Sequence, residues 1–224
     1  MTLILVGGAV AVGEAMTLAN VKTVVETVFD ENKSKIVKYS ISNINTAKYN
    51  TLAAKLGIKV EYVTCDEPEL PVEERGPTYK WLDVAESDKC QISGYMQYLN
   101  DNVSTVLPVG HAFYDVASDH TSLNISDPRI GGSVGGGTDV LVAAKREYEL
   151  HWKVDLVGVK MIIELKPEVK AEKNNIFQAR TKLICANIIS HKESVVVLLT
   201  DLNSRWVFFW VQEGMRSQIS RNCI

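Results

Sequence analysis

Between His111 and Val211 the hydrophobic period of this chain switches in a fixed order, and that order restricts the folds open to it more than any single segment does. Three stretches read as strands: His111 to Ser118, Thr138 to Ala144 and Leu156 to Leu165. Pro167 closes the third, because it has no N–H to give to a ladder. Asn175 to Ile189 then carries Ile176, Ala179, Leu183, Ala186 and Ile189 on one helical face. Two more strands follow, Ser194 to Thr200, apolar enough for burial on both faces, and Trp206 to Val211, joined by a turn through Asp201 and Asn203. Three consecutive strands predict an antiparallel meander, and a helical crossover predicts a fourth strand returning beside the third. The expected fold class is α/β, a mixed central β-sheet flanked by helices.

Upstream, Trp81 to Val103 has helical spacing, as one long helix or two short ones, with Gly94 weakening its middle. Asp127 to Gly137 is a glycine-rich loop. Val21 to Phe29 and Thr46 to Leu56 read as helices, Lys35 to Ser40 and Lys59 to Val63 as short strands. Residues 1–65 are therefore expected to form a small α/β N-terminal unit. Asp66 to Pro77 holds three prolines and five acids with little periodicity, so residues 66–80 are read as an acidic linker and 81–224 as the main domain. A chain of 224 residues, 46% hydrophobic and 23% charged, can build such cores without staples, which excludes disordered and fibrous classes.

The formal net charge is −3, so attraction for a polyanion has to come from a local patch. Acids predominate from Glu61 to Asp88, whereas Lys160 to Lys192 adds Lys166, Lys170, Lys173, Arg180 and Lys182. Four scattered cysteines, without a CxxC pair or zinc spacing, point to a reducing intracellular compartment. The apolar run Leu3 to Val12 raises a signal peptide, but it lacks a basic flank and meets Glu14. No stretch reaches the length of a membrane span, so no membrane partner is expected.

Asp139 opens one expected strand, and Glu164 and Lys166 lie two apart near the end of the next. Residues two apart on a strand share a face, and an adjacent strand can set Asp139 opposite them. Two carboxylates and an ammonium then converge. A hard cation, Mg²⁺ or Mn²⁺, takes oxygen ligands and keeps several waters, so Asp139 and Glu164 would hold it. Lys166 would orient or deprotonate the attacking water.

The runs GTDVLV, IIELKP and, on a helix, FQARTKL resemble the PD-(D/E)xK phosphodiesterases, which place an acid on the second core strand, ExK on the third and a glutamine on the following helix. The resemblance covers Trp81 to Gln212. It implies a restriction-endonuclease-like core, nuclease activity on nucleic acid with DNA favoured, catalytic roles for Asp139, Glu164, Lys166 and Gln178, and Glu86 as a third metal ligand from the preceding helix. A narrower resemblance, in GGGTDVLV, ELKP and YMQYLNDN, is to the C-terminal regions of Crinkler-type effectors of oomycetes and fungi. That resemblance implies secretion, delivery to a host nucleus, and nucleic acid or a host protein as target. It also implies a fragment or truncated member, because the N-terminal targeting module of that class is not recognisable.

Plainer readings compete. An isolated ExK is common in strands, and Asp139 could be a turn-ending acid. The glycines from Gly131 to Gly137 precede a strand and no Lys-Ser/Thr pair, which argues against a P-loop and for an entropy-rich loop that could approach a nucleic-acid backbone; Gly7, Gly8 and Gly13 do not spell a dinucleotide motif. His111 and Asp115 could add a ligand from the first strand, though a lone strand histidine is more often structural. Trp206, Phe208, Phe209 and Trp210 suit core packing better than base stacking. The enzyme hypothesis assigns nucleic-acid contacts to Lys170, Lys173, Arg180 and Lys182, with little from Lys35 and Lys38. Its rival is a catalytically inactive nuclease-like module that binds nucleic acid or a protein through the same surface.

Overall fold

The computed structural model describes residues 22, 23, 26, 37–64, 76–151, 156–169, 174–190, 193–211 and 218–223. Residues 37–224 form one compact unit and residues 1–36 another, in which 22, 23 and 26 are helical. The N-terminal apolar run, Lys35 and most of the expected linker lie outside the described residues.

The larger unit runs β1 (Val37–Ser40), α1 (Thr46–Leu56), β2 (Lys59–Thr64), α2 (Lys89–Asn102), β3 (His111–Asp115), β4 (Ile125–Asp127), β5 (Gly132–Gly135), β6 (Val140–Ala144), α3 (Lys145–His151), β7 (Val159–Leu165), α4 (Asn174–Ile189), β8 (Val196–Thr200), β9 (Trp206–Val211) and β10 (Gln218–Cys223). Seven strands form a mixed sheet in the order β2-β10-β9-β8-β7-β6-β3. Strands β3, β6 and β7 are the expected meander, antiparallel throughout, and β8 returns parallel to β7 after α4. The segment expected to be a loop from Asp127 to Gly137 instead supplies the central strand of a second, three-stranded sheet, β1-β5-β4. Its glycines answer to close backbone approach. A Cβ on Gly132 would sit 2.0 Å from the Val37 carbonyl oxygen, and one on Gly137 2.4 Å from that of Asp119.

Local signals set the helix ends. The Asn45 side chain accepts from the Lys48 N–H at 3.0 Å to cap α1, and Gly57 ends it at φ +66°, a left-handed turn. Asp88 caps α2 by accepting from the Cys90 N–H at 2.8 Å. Helix α2 buries Gln91, Tyr95 and Leu99, four residues apart, against one face of the large sheet, where Phe113, Val140, Val142, Ile163 and Leu165 meet them.

On the opposite face, Leu141, Ile162, Val197 and Leu199 pack with Ile176, Ala179 and Leu183 of α4, with Leu52 of α1, and with Ile125 and Val134 of the small sheet. Helix α4 is thus covered on nearly all sides, and ten of its residues are buried. Ile41, Ile44, Tyr49 and Leu52 belong to this core, and the Tyr49 and Phe177 ring centroids lie 5.4 Å apart. The boundary expected near residue 65 falls inside the unit for that reason: residues 37–64 share their core with α4 and the large sheet. Among the described residues no helix is long and apolar enough to cross a membrane.

Candidate active site

Strand alternation decides which side chains reach the middle layer. Leu141 and Ile162 face α4 while Val140 and Ile163 face α2, so Asp139 and Glu164 fall on the α4 side by parity. The pairing of Val140 with Ile163 and Leu141 with Ile162, continued one step, sets Asp139 opposite Glu164. Asp139 is fixed there by two contacts. Its Oδ2 accepts from the Leu165 N–H at 2.7 Å, and its carbonyl accepts from the Val116 N–H at 3.0 Å. The neighbouring Thr138 hydroxyl donates to the Ile163 carbonyl at 3.2 Å.

Asp139, Glu164, Lys166, Gln178 and Lys182 line one cleft of ≈ 500 Å³ between the two sheets, with Glu86 at its rim. Lys166 Nζ lies 3.4 Å from Glu164 Oε1 and 2.5 Å from Glu86 Oε2. Lys182 donates to Glu164 Oε2 from the helix side, so each oxygen of that carboxylate faces an ammonium. Gln178, one turn before Lys182, donates through Nε2 to the Ser42 carbonyl at 2.8 Å and ties α4 to the segment after β1.

The electrostatics follow from burial. Desolvation opposes a charge on Glu164, but Lys182 and Lys166 outweigh it and hold the carboxyl below its usual range. For Asp139, burial first and the Glu164 carboxylate second push the carboxyl up to about 7, against the pull of both lysines and the Leu165 N–H. Burial likewise works against the Lys166 ammonium, yet the carboxylates of Glu164, Asp139 and Glu86 prevail and raise its pKa. Lys166 therefore stays protonated at neutral pH. In that form it can orient a water or steady an anionic oxygen.

Other expectations are relocated. Glu86 is the ion-pair partner of Lys166. Arg180 cannot join a basic surface, because its guanidinium is buried among Tyr49, Tyr62 and Phe177, with ring centroids 5.7, 5.2 and 5.8 Å away, and donates to the Tyr62 hydroxyl at 2.7 Å. Lys182, expected at a surface, is buried in the cleft wall. Lys170 and Lys173 lie outside the described residues. Neither His111 nor Asp115 lines the cleft; Asp115 accepts from the Ala117 N–H at 3.0 Å. Ser42, His120 and Asn124 do line it, and no sequence pattern singled them out.

Among the described residues no three His, Cys, Asp or Glu side chains converge as a metal cage. Mg²⁺ rarely needs one, since one or two carboxylates plus water and phosphate oxygens suffice. The pair Asp139 and Glu164 fits that requirement, and the Asp139 carboxyl, raised first by burial and then by the Glu164 carboxylate, is one that a divalent cation would hold ionised. The ammonium of Lys182 would have to yield Glu164 Oε2.

The architecture is a mixed α/β unit with two mixed sheets flanked by helices, and its cleft is built of paired acids and lysines. The chain is similar to effectors of the Crinkler type. It is 32% identical over 185 residues to Crinkler effector protein 4 of Phytophthora capsici, covering 80% of this chain and 41% of that relative. It is 30% identical over 195 residues to Crinkler effector protein 63 of Phytophthora sojae, covering 80% of this chain and 42% of the relative. It is 31% identical over 182 residues to Crinkler effector protein 2 of Phytophthora infestans, covering 80% and 39%. The chain spans about two-fifths of the length of the curated relatives it matches. No protein-family model matches the sequence. No solved structure matches the fold.

Proposed function

We propose that this unit is a metal-dependent phosphodiesterase of the PD-(D/E)xK type, with a restriction-endonuclease-like core, acting on nucleic acid and on DNA by preference. The observation that carries the reading is the convergence of Asp139, Glu164, Lys166 and Gln178 on one cleft, in the strand and helix order that such nucleases use. Asp139 and Glu164 would hold a Mg²⁺ or Mn²⁺ ion, which when bound supplies charge for the scissile phosphate and a more acidic water. Lys166, kept cationic by three carboxylates, steadies a non-bridging phosphate oxygen or orients the water. Gln178 fixes the cleft wall through Ser42. Similarity to effectors supports the further reading that the protein is secreted, and we propose a host nucleus as its place of action.

The alternative, an inactive nuclease-like module that binds nucleic acid or a host protein, draws support from one observation: both oxygens of Glu164 already face ammonium groups. Plasmid cleavage separates the two. With Mg²⁺ or Mn²⁺ the purified chain should nick or linearise plasmid, and Asp139→Asn or Lys166→Met should slow it by about a hundredfold or more. A wild-type preparation that is inert with either metal sinks the enzyme reading.

A further inference from the structure

The cleft does not end at the carboxylates. A second hollow of ≈ 600 Å³ shares Ser40, Asn124 and Gly135 with it and runs out over the three-stranded sheet. Register explains what lines this extension. Lys38 pairs with Ser133 across β1 and β5, and Ser133 pairs with Ser126 across β5 and β4, so the three side chains form one row across the sheet. The adjacent row, Tyr39, Val134 and Ile125, faces the core, where Val134 and Ile125 are buried. The platform is thus held from behind by packing, while its open side presents hydroxyls, the Asn124 amide and one cation.

The charge pattern names the occupant. No carboxylate lines the extension, and Lys38 is its one charged lining residue, exposed and without an ion pair to any described residue. Asp127, at the end of β4, is buried and held by Arg129 at 2.6 Å. A hollow that is neutral to basic and continuous with a phosphodiester-binding cleft suits a polyanion, with hydroxyls and an amide to bond its phosphates and sugars. We infer that the extension is the track for the nucleic-acid strand flanking the scissile phosphate, which lies along Ser40, Ser133 and Ser126 with a phosphate at Lys38. The inference rests on the reading of the cleft as a phosphodiester site. It reverses the expectation that Lys38, assigned to a separate N-terminal unit, has little part in binding.

Binding without catalysis tests it. The full chain is titrated in EDTA against a fluorescein-labelled single-stranded oligonucleotide, once as DNA and once as RNA, with anisotropy read over a range of salt. Lys38→Glu and Ser126→Glu should each weaken binding by about fivefold or more, and Lys38→Glu should flatten the log–log salt dependence by about one unit. Lys145→Glu, an exposed charge reversal outside the groove, serves as control. Circular dichroism checks that each variant is folded, and Lys38→Gln and Ser126→Asp stand in for any that is not. If the groove variants match the control, or the wild type binds neither oligonucleotide, the track is refuted. Plasmid cleavage with Mg²⁺ is scored separately. Cleavage with silent groove variants overturns the track alone, whereas groove-dependent binding without cleavage overturns the enzyme reading and leaves the track standing.

Discussion

Replacing Lys182 by methionine keeps the length of the side chain and removes its charge, so it isolates what the buried ammonium does. The Lys182 and Glu164 side chains are 6% and 5% exposed, which leaves little water to screen either ion. Breaking a buried pair by removing one partner generally costs about 3–5 kcal/mol, because the other charge is stranded. Here Lys166, 3.4 Å from the second oxygen, compensates in part, so about 3 kcal/mol is expected. For a unit of this size that lowers Tm by about 6–12 °C. Urea unfolding and thermal melts in EDTA measure it. Glu164→Gln alone should also destabilise, while the double variant should recover much of the loss, since no charge is then stranded. Adding Mn²⁺ should raise the Tm of Lys182→Met more than that of wild type, because Glu164 gains a cation and nothing competes for it. Additive losses in the double variant, or a Tm within about 2 °C of wild type for Lys182→Met, would refute the reasoning.

Asp139 keeps its proton in the folded chain up to about pH 7, whereas an unfolded aspartate loses it near 3.8, so the folded state binds more protons in between and stability falls as pH rises. Glu164 contributes with the opposite sign, but that contribution is complete above the ordinary glutamate value of 4.5. Asp139 therefore contributes a falling slope from about pH 5 to 7 in EDTA, and Asp139→Asn should remove that contribution in urea titrations. Arg180→Met should cost about 2–4 kcal/mol through the lost Tyr62 bond and ring contacts, and leave oligonucleotide affinity unchanged. Gln178→Ala should slow plasmid cleavage about tenfold while shifting stability by no more than about 1 kcal/mol; unfolding instead would assign it to the core.

The large sheet was readable because its strands and crossover helix carry strong, different periods. Val140 to Ala144, Val159 to Leu165 and Val196 to Thr200 are too apolar for any exposed element, and Asn174–Ile189 between them can only cross over. The small sheet was not readable. Its strands are three or four residues long, β5 carries glycine at both ends, and β1 pairs with it only because the chain has returned from far along the sequence. Local pattern carries no information about such a pairing, which is why residues 37–64 looked like a unit of their own.

The acids of the site were legible for the same reason as the large sheet: strand parity puts Glu164 and Lys166 on one face, and the pairing of β6 with β7 sets Asp139 opposite Glu164. The basic residues of α4 were misjudged as a single surface, although helical geometry argues otherwise. Gln178 and Lys182 are four apart and share a face, but Arg180 and Lys182 are two apart, which turns them about 200° from each other. The two cations therefore had to serve different neighbours. Lys182 meets the carboxylate of β7, and Arg180 meets the aromatic side chains of Tyr49 and Tyr62 on the opposite side. What the sequence could not supply was that both sides of α4 are covered, since a charged residue on either side of a helix reads locally as solvent-exposed. Burial of a lysine beside a glutamate is costly unless the pair is matched, so each charge on this helix is committed to a partner inside the molecule. Cations for a polyanion must then come from outside this helix, and among the described residues Lys38 at the open end of the cleft meets that condition.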